Sequence, residues 1–134
     1  MAKSVNPFNK AAREATKRGD NGTAERIRVE GKMADALIQA ILDRGYLVTI
    51  DDGGALAIDN SGDKVAILAA MFSTDEDVVY VMNDKNQYVC WFRMIYGNDG
   101  HDVVSDYIAN KIGEEIWDKV LQPLADELEA GMKH

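Results

Sequence analysis

The stretch Gln87-Tyr88-Val89-Cys90-Trp91-Phe92-Arg93-Met94-Ile95-Tyr96 decides the fold. It is rich in aromatic and β-branched residues, which suit a pleated strand. Alternation along an extended chain puts Tyr88, Cys90, Phe92, Met94 and Tyr96 on one side and Val89, Trp91, Arg93 and Ile95 on the other. A strand wetted on one face alternates apolar with polar residues, yet both faces here are largely apolar. The sequence therefore predicts a central strand covered on two sides, or one that lines an interface through Val89, Trp91, Arg93 and Ile95.

Working outward, Val78 to Met82 pairs with this strand across Asn83 to Asn86. An earlier hairpin joins Tyr46–Ile50 to Ala55–Ile58 through Asp51-Asp52-Gly53-Gly54, a composition that supplies positive φ at a tight turn. Between the hairpins, Val65, Leu68, Ala69 and Phe72 recur at helical spacing. Before them, Thr23 or Asn21 caps a helix that runs to about Arg44 and stops at Gly45, with Ile27, Ala34, Leu37, Ile38 and Ile41 facing inward. Gly31 costs that helix about 1 kcal/mol relative to Ala, so a bend or frayed first part is expected. After Asn98 and Asp99, read as turn and cap residues, helical pieces follow near Asp102–Lys111, Glu114–Gln122 and Leu124–Ala130, broken at Gly113 and Pro123. The predicted class is α+β: an antiparallel sheet of about four strands in two hairpins, packed with helices in the order α-β-β-α-β-β-α. Residues 1–22, with Lys3, Lys10, Arg13, Lys17 and Arg18, read as a basic arm, flexible or loosely docked, with a short helix around Asn9–Lys17 and a loop at Arg18–Gly22, ahead of a single domain at 23–134.

Composition narrows the function classes. The single cysteine, Cys90, excludes an internal disulfide framework, and no apolar run is long enough to span a bilayer or resemble a secretion signal, so a cytoplasmic setting is expected. Residues 1–45 carry nine Lys/Arg against six Asp/Glu, whereas residues 46–134 carry six against seventeen. The acidic part repels phosphate backbones, which argues against direct nucleic-acid binding, and it attracts basic protein surfaces as well as keeping the chain soluble.

Three constellations are candidates for chemistry or recognition. Asn98, Asp99, His101, Asp102, Ser105 and Asp106 crowd one junction; His101 with Asp102 or Asp106 makes a weak acid/base pair or divalent-metal candidate, against the simpler reading of turn and helix-cap residues. Asp51, Asp52, Asp59, Asp63, Asp75, Glu76 and Asp77 form an acidic row that could imitate the phosphates of a nucleic acid, against the simpler reading of acidic loops. The third is the Trp91 strand face. No phosphate-binding glycine loop, dinucleotide fingerprint, nucleophile elbow or paired-cysteine motif occurs, so no cofactor, metal or small-molecule ligand is expected.

Tyr96-Gly97-Asn98-Asp99-Gly100, followed by Val103, Val104, Ser105, Asp106 and Tyr107, resembles a pattern in small uncharacterised proteins of bacteria and their phages, over residues 33–107 at most. The resemblance implies an origin and carries no activity. The expectation is a non-enzymatic interaction protein, such as a phage or mobile-element accessory factor, that binds a host protein or pairs with itself as a homodimer through its apolar strand face and acidic surface. Alternatives are a small metal-assisted or acid/base enzyme using Asp99, His101 and Asp102, and an acidic nucleic-acid mimic.

Overall fold

In the computed structural model, which describes residues 6–132, the first helix, α1 (Pro7–Lys17), begins at Asn6, whose side chain accepts the N–H groups of Phe8 and Asn9. Pro7 fits the first helical position, where its missing N–H is no loss. Phe8, Ala12 and Ala15 are buried against α2 (Asn21–Asp43), and the Phe8 ring stacks on Phe72 at 4.6 Å and meets Tyr96 edge-on at 5.7 Å. The short helix expected here is present and starts earlier, at Pro7, and it is not loosely docked: its aromatic residue, Phe8, is part of the core, and a turn at Arg18–Asp20 leads into α2. The remainder of that prediction, residues 1–5, lies outside the described residues.

Gly31 is the reason for the docking. A Cβ at this position would lie 2.8 Å from Phe8 Cβ, so the glycine admits α1 at close range. The expected bend there is not found, and α2 runs unbroken for 23 residues. Its cap is Asp20, which accepts Thr23 N–H, rather than Thr23 or Asn21. It ends at Gly45 (φ 84°), with Gly45 N–H donating to Leu42 and Tyr46 N–H to Ile41, a left-handed stop that glycine adopts without strain.

Then follow β1 (Leu47–Asp51), β2 (Leu56–Ser61), α3 (Lys64–Ala69, capped by Asp63), β3 (Glu76–Met82), β4 (Tyr88–Ile95) and β5 (Val104–Tyr107). The fold is α+β, as expected, but its antiparallel sheet has five strands in the order β2-β1-β3-β4-β5. The fifth is a correction, since residues 104–107 were expected to be helical. Val103, Val104, Tyr107 and Ile108 recur at helical spacing, but the free edge of β4 offers backbone partners that decide for a strand. β3 is the central strand, so β4 sits one place from the edge.

Asn110 then begins α4 (Lys111–Ile116), accepting Gly113 N–H and donating to Val89 O. Gly113, expected to break the helix, lies inside it, where a Cβ would fall 1.9 Å from Ile108 O and 3.1 Å from Cys90 Sγ. The helix continues through a π-helical turn (Trp117–Leu121) into α5 (Gln122–Met132). Gln122 N–H reaches back five residues to Trp117 O, and this wider turn precedes Pro123, which lacks an N–H and would crowd a regular α-turn.

The helices line one face of the sheet. Leu37, Ile38 and Ile41 of α2, Ile67 of α3, and Ile116 and Leu121 of the last helix enclose Val48, Ile50, Val79, Val81, Cys90, Phe92 and Met94 from the strands. Cys90 is buried beneath α4, and burial pushes its thiol pKa up, so it acts as a small apolar residue. Among the described residues, no helix is long and apolar enough to cross a membrane.

Candidate functional site

Two regions hold the predicted site residues, and the fold treats them differently. The first is the segment from Tyr96 to Asp106. Tyr96 and Gly97 are fixed by two buried carboxylates: Tyr96 donates its hydroxyl to Asp77 Oδ2 at 2.5 Å, and Gly97 N–H donates to Glu30 Oε2 at 2.8 Å. Gly100, at φ 97°, lies so near α2 that a Cβ would be 3.1 Å from Arg26 O. The Tyr96–Gly100 turn is therefore a docking device of the fold. Asp102 Oδ1 accepts Asp99 N–H at 3.1 Å within the turn, and no helix starts here for Asn98 or Asp99 to cap.

The enzyme candidates do not converge. His101 Nε2 lies 3.5 Å from Glu129 Oε2 of α5, Asp102 bonds within its own turn, and Asp106 sits on β5 with its carboxylate on Tyr107 N–H. Among the described residues, no three His, Cys, Asp or Glu side chains come together in a way that could hold a metal ion. A cleft of about 530 Å³ lies between the end of α2 and the start of α4, but three of its polar side chains are already engaged: Arg44 Nε meets Glu115 Oε1 at 3.0 Å, and Asn110 donates to Val89 O and accepts Gly113 N–H.

The acidic row is also divided by the fold. Asp77 is wholly buried and Asp63 caps α3, while Asp59 accepts the Thr49 hydroxyl. Burial pushes the Asp77 pKa up to about 6, against the pull of Phe72 N–H and the Tyr96 hydroxyl, while the charges of Asp52 and Asp51 push it further. Burial raises the Glu30 pKa as well, opposed chiefly by Gly97 N–H and by Arg26. Asp51, Asp52, Asp75 and Glu76 are left together at one end of the sheet.

The second region is the sheet face away from the helices. Trp91 pairs with Tyr80, Arg93 with Val78, and Ile95 with Glu76 across the β3–β4 ladder. Trp91, Tyr80, Val78 and Ile95 are partly exposed, and none belongs to the core cluster or to the partly buried apolar residues packed on it. The expected cover on both faces is absent among the described residues: the Cys90 face is enclosed and the Trp91 face is not. Val89 departs from its predicted partners, since it packs on the core. Tyr88 moves the other way, because a register shift between Val81 and Met82 carries it out of the Cys90 row; it is exposed and meets Tyr80 edge-on at 5.5 Å.

Val78, Tyr80, Trp91, Arg93, Glu76 and Asp51 line a shallow depression of about 460 Å³ on this face. Arg93 Nε donates to Glu76 Oε2 at 2.9 Å, and Arg93 Nη2 lies 2.8 Å from the same oxygen. Sequence reasoning found Trp91, Arg93 and Ile95 from alternation and Glu76 only as part of the acidic row, but missed Val78 and Tyr80, whose membership depends on register between strands. Comparison with protein-family models, curated proteins and solved structures finds no match.

Proposed function

We propose that this chain is a non-enzymatic interaction protein that docks a protein partner on the helix-free face of its sheet, around Trp91. The observation that carries this reading is the strip of Val78, Tyr80, Trp91 and Ile95: large apolar side chains that are partly wet and stand apart from the core. Contiguous apolar surface of this kind, rimmed by charge, is characteristic of recognition surfaces, where tryptophan and tyrosine contribute disproportionately to affinity. A reducing compartment such as the cytoplasm suits the lone buried thiol. The enzyme alternative has no comparable support, since His101, Asp102 and Asp106 turn to separate partners.

The test needs no partner in hand. If Trp91 serves binding, Trp91→Ser costs no more than about 1 kcal/mol of stability in urea denaturation, the scale of one cross-strand aromatic pair. A loss of about 3 kcal/mol or more, as for a tryptophan deleted from a core, overturns the reading. Light scattering on the same samples reports whether two copies pair through this face, in which case Trp91→Glu separates them.

A further inference from the structure

We propose that the occupant of this face is a cationic segment of another protein, its arginine or lysine side chains set between the Trp91–Tyr80 surface and the carboxylates of Asp51, Asp52, Asp75 and Glu76. The inference rests on the docking role proposed above and adds the chemistry of the partner. The depression beside Trp91 adjoins a second one lined by Asp52, Thr74, Asp75 and Glu76, and the two share Gly53 and Glu76. Their four carboxylates face a single guanidinium, that of Arg93, so the patch carries a formal charge of −3 when ionised. The β1–β2 turn holds it in shape: Asp51 Oδ1 accepts Gly53 N–H at 2.8 Å, and Asp52 Oδ1 accepts the N–H groups of Gly54 and Ala55.

Charge then selects among occupants. A two-fold pairing of this patch with itself would set −3 against −3, and like charges across an interface are strongly disfavoured. A nucleic acid is repelled for the same reason. A guanidinium or ammonium group meets both attractive elements at once, carboxylates at the rim and aromatic faces at the centre, where the ring quadrupole favours a cation. Aliphatic side chains of the same segment would cover Val78 and Ile95.

The experiment titrates a short fluorescein-labelled peptide alternating arginine with leucine against the full chain by fluorescence anisotropy, with a glutamate-for-arginine peptide as control. Binding of the arginine peptide alone is expected. It should weaken more than about tenfold in Trp91→Ser, which changes no charge, and in the Asp51→Asn/Glu76→Gln double variant, while Glu127→Gln on α5 leaves it unchanged. Binding that ignores Trp91→Ser and falls equally with Glu127→Gln means diffuse attraction to an acidic protein and overturns the proposal. No binding, with Trp91→Ser as stable as the parent, overturns the cationic partner alone. No binding together with a large stability loss in Trp91→Ser removes the docking face itself.

Discussion

Asp77 gives the structure its most quantitative consequence. Its carboxylate is wholly buried at the start of β3; Oδ2 accepts Phe72 N–H at 2.9 Å and the Tyr96 hydroxyl at 2.5 Å, and Oδ1 has no hydrogen-bond partner among the described residues. Burial, with Asp52 and Asp51 nearby, pushes its pKa from 3.8 up to about 6. An acid whose folded pKa lies above its unfolded one binds protons more readily in the native state, so its ionisation opposes folding above about pH 6 and the penalty fades as the pH falls toward 4. A shift of this size corresponds to about 3 kcal/mol in full, of which about 2 kcal/mol is recovered between pH 7.5 and 4.5. Glu30, shifted in the same direction, adds to the trend. Urea denaturation at both pH values measures it: the chain should be more stable at pH 4.5. In Asp77→Asn, which remains neutral, most of that difference should disappear. A parent chain that loses stability between pH 7.5 and 4.5, or an Asp77→Asn variant with the full pH dependence, refutes the reasoning.

Phe8→Ala should cost about 3 to 5 kcal/mol in the same assay, the range for a buried phenylalanine, whereas a loosely docked arm would lose almost nothing. Gly31→Ala, a favourable change in an isolated helix, should instead destabilise and expose the turn at Arg18–Asp20 to limited proteolysis, because the added methyl meets Phe8. Gly113→Ala should be the most damaging of the glycine-to-alanine changes, costing more than about 3 kcal/mol, since α4 cannot stay over Cys90 with a Cβ against Ile108 O; circular dichroism melting reads the loss. Zinc or manganese should leave the melting temperature of the chain unchanged, with or without His101→Ala; a metal-dependent rise that His101→Ala removes would restore the enzyme alternative.

The hairpins were legible because their signals are local. Alternation in Tyr88–Ile95 and the glycine pair at 53 and 54 suffice to place strands and turn, and Gly45 ends a helix by its backbone freedom alone. What stayed hidden depends on contacts between distant segments. Residues 104–107 become a strand only because β4 has an unpaired edge. Gly31 and Gly113 read as helix breakers in one dimension, while in three they are points of close approach. Asp77 looked like one more acid in a surface row, and nothing in its neighbours along the chain shows that Tyr96 covers it. On the candidate site, alternation identified Trp91, Arg93 and Ile95 but could not give Tyr80, Val78 and Glu76, which are fixed by register. Val89 and Tyr88 exchanged their expected roles at a ladder irregularity that composition does not encode.

Amide chemical-shift mapping during titration with the arginine–leucine peptide tests most directly whether recognition occurs on the uncovered side of the sheet. The largest changes should fall on Asp51 to Gly53, Glu76 to Tyr80 and Trp91 to Ile95, with the Trp91 indole N–H among them. Changes centred on the outer surfaces of α1 and α2, or on the Arg44–Glu115 cleft, would contradict the account.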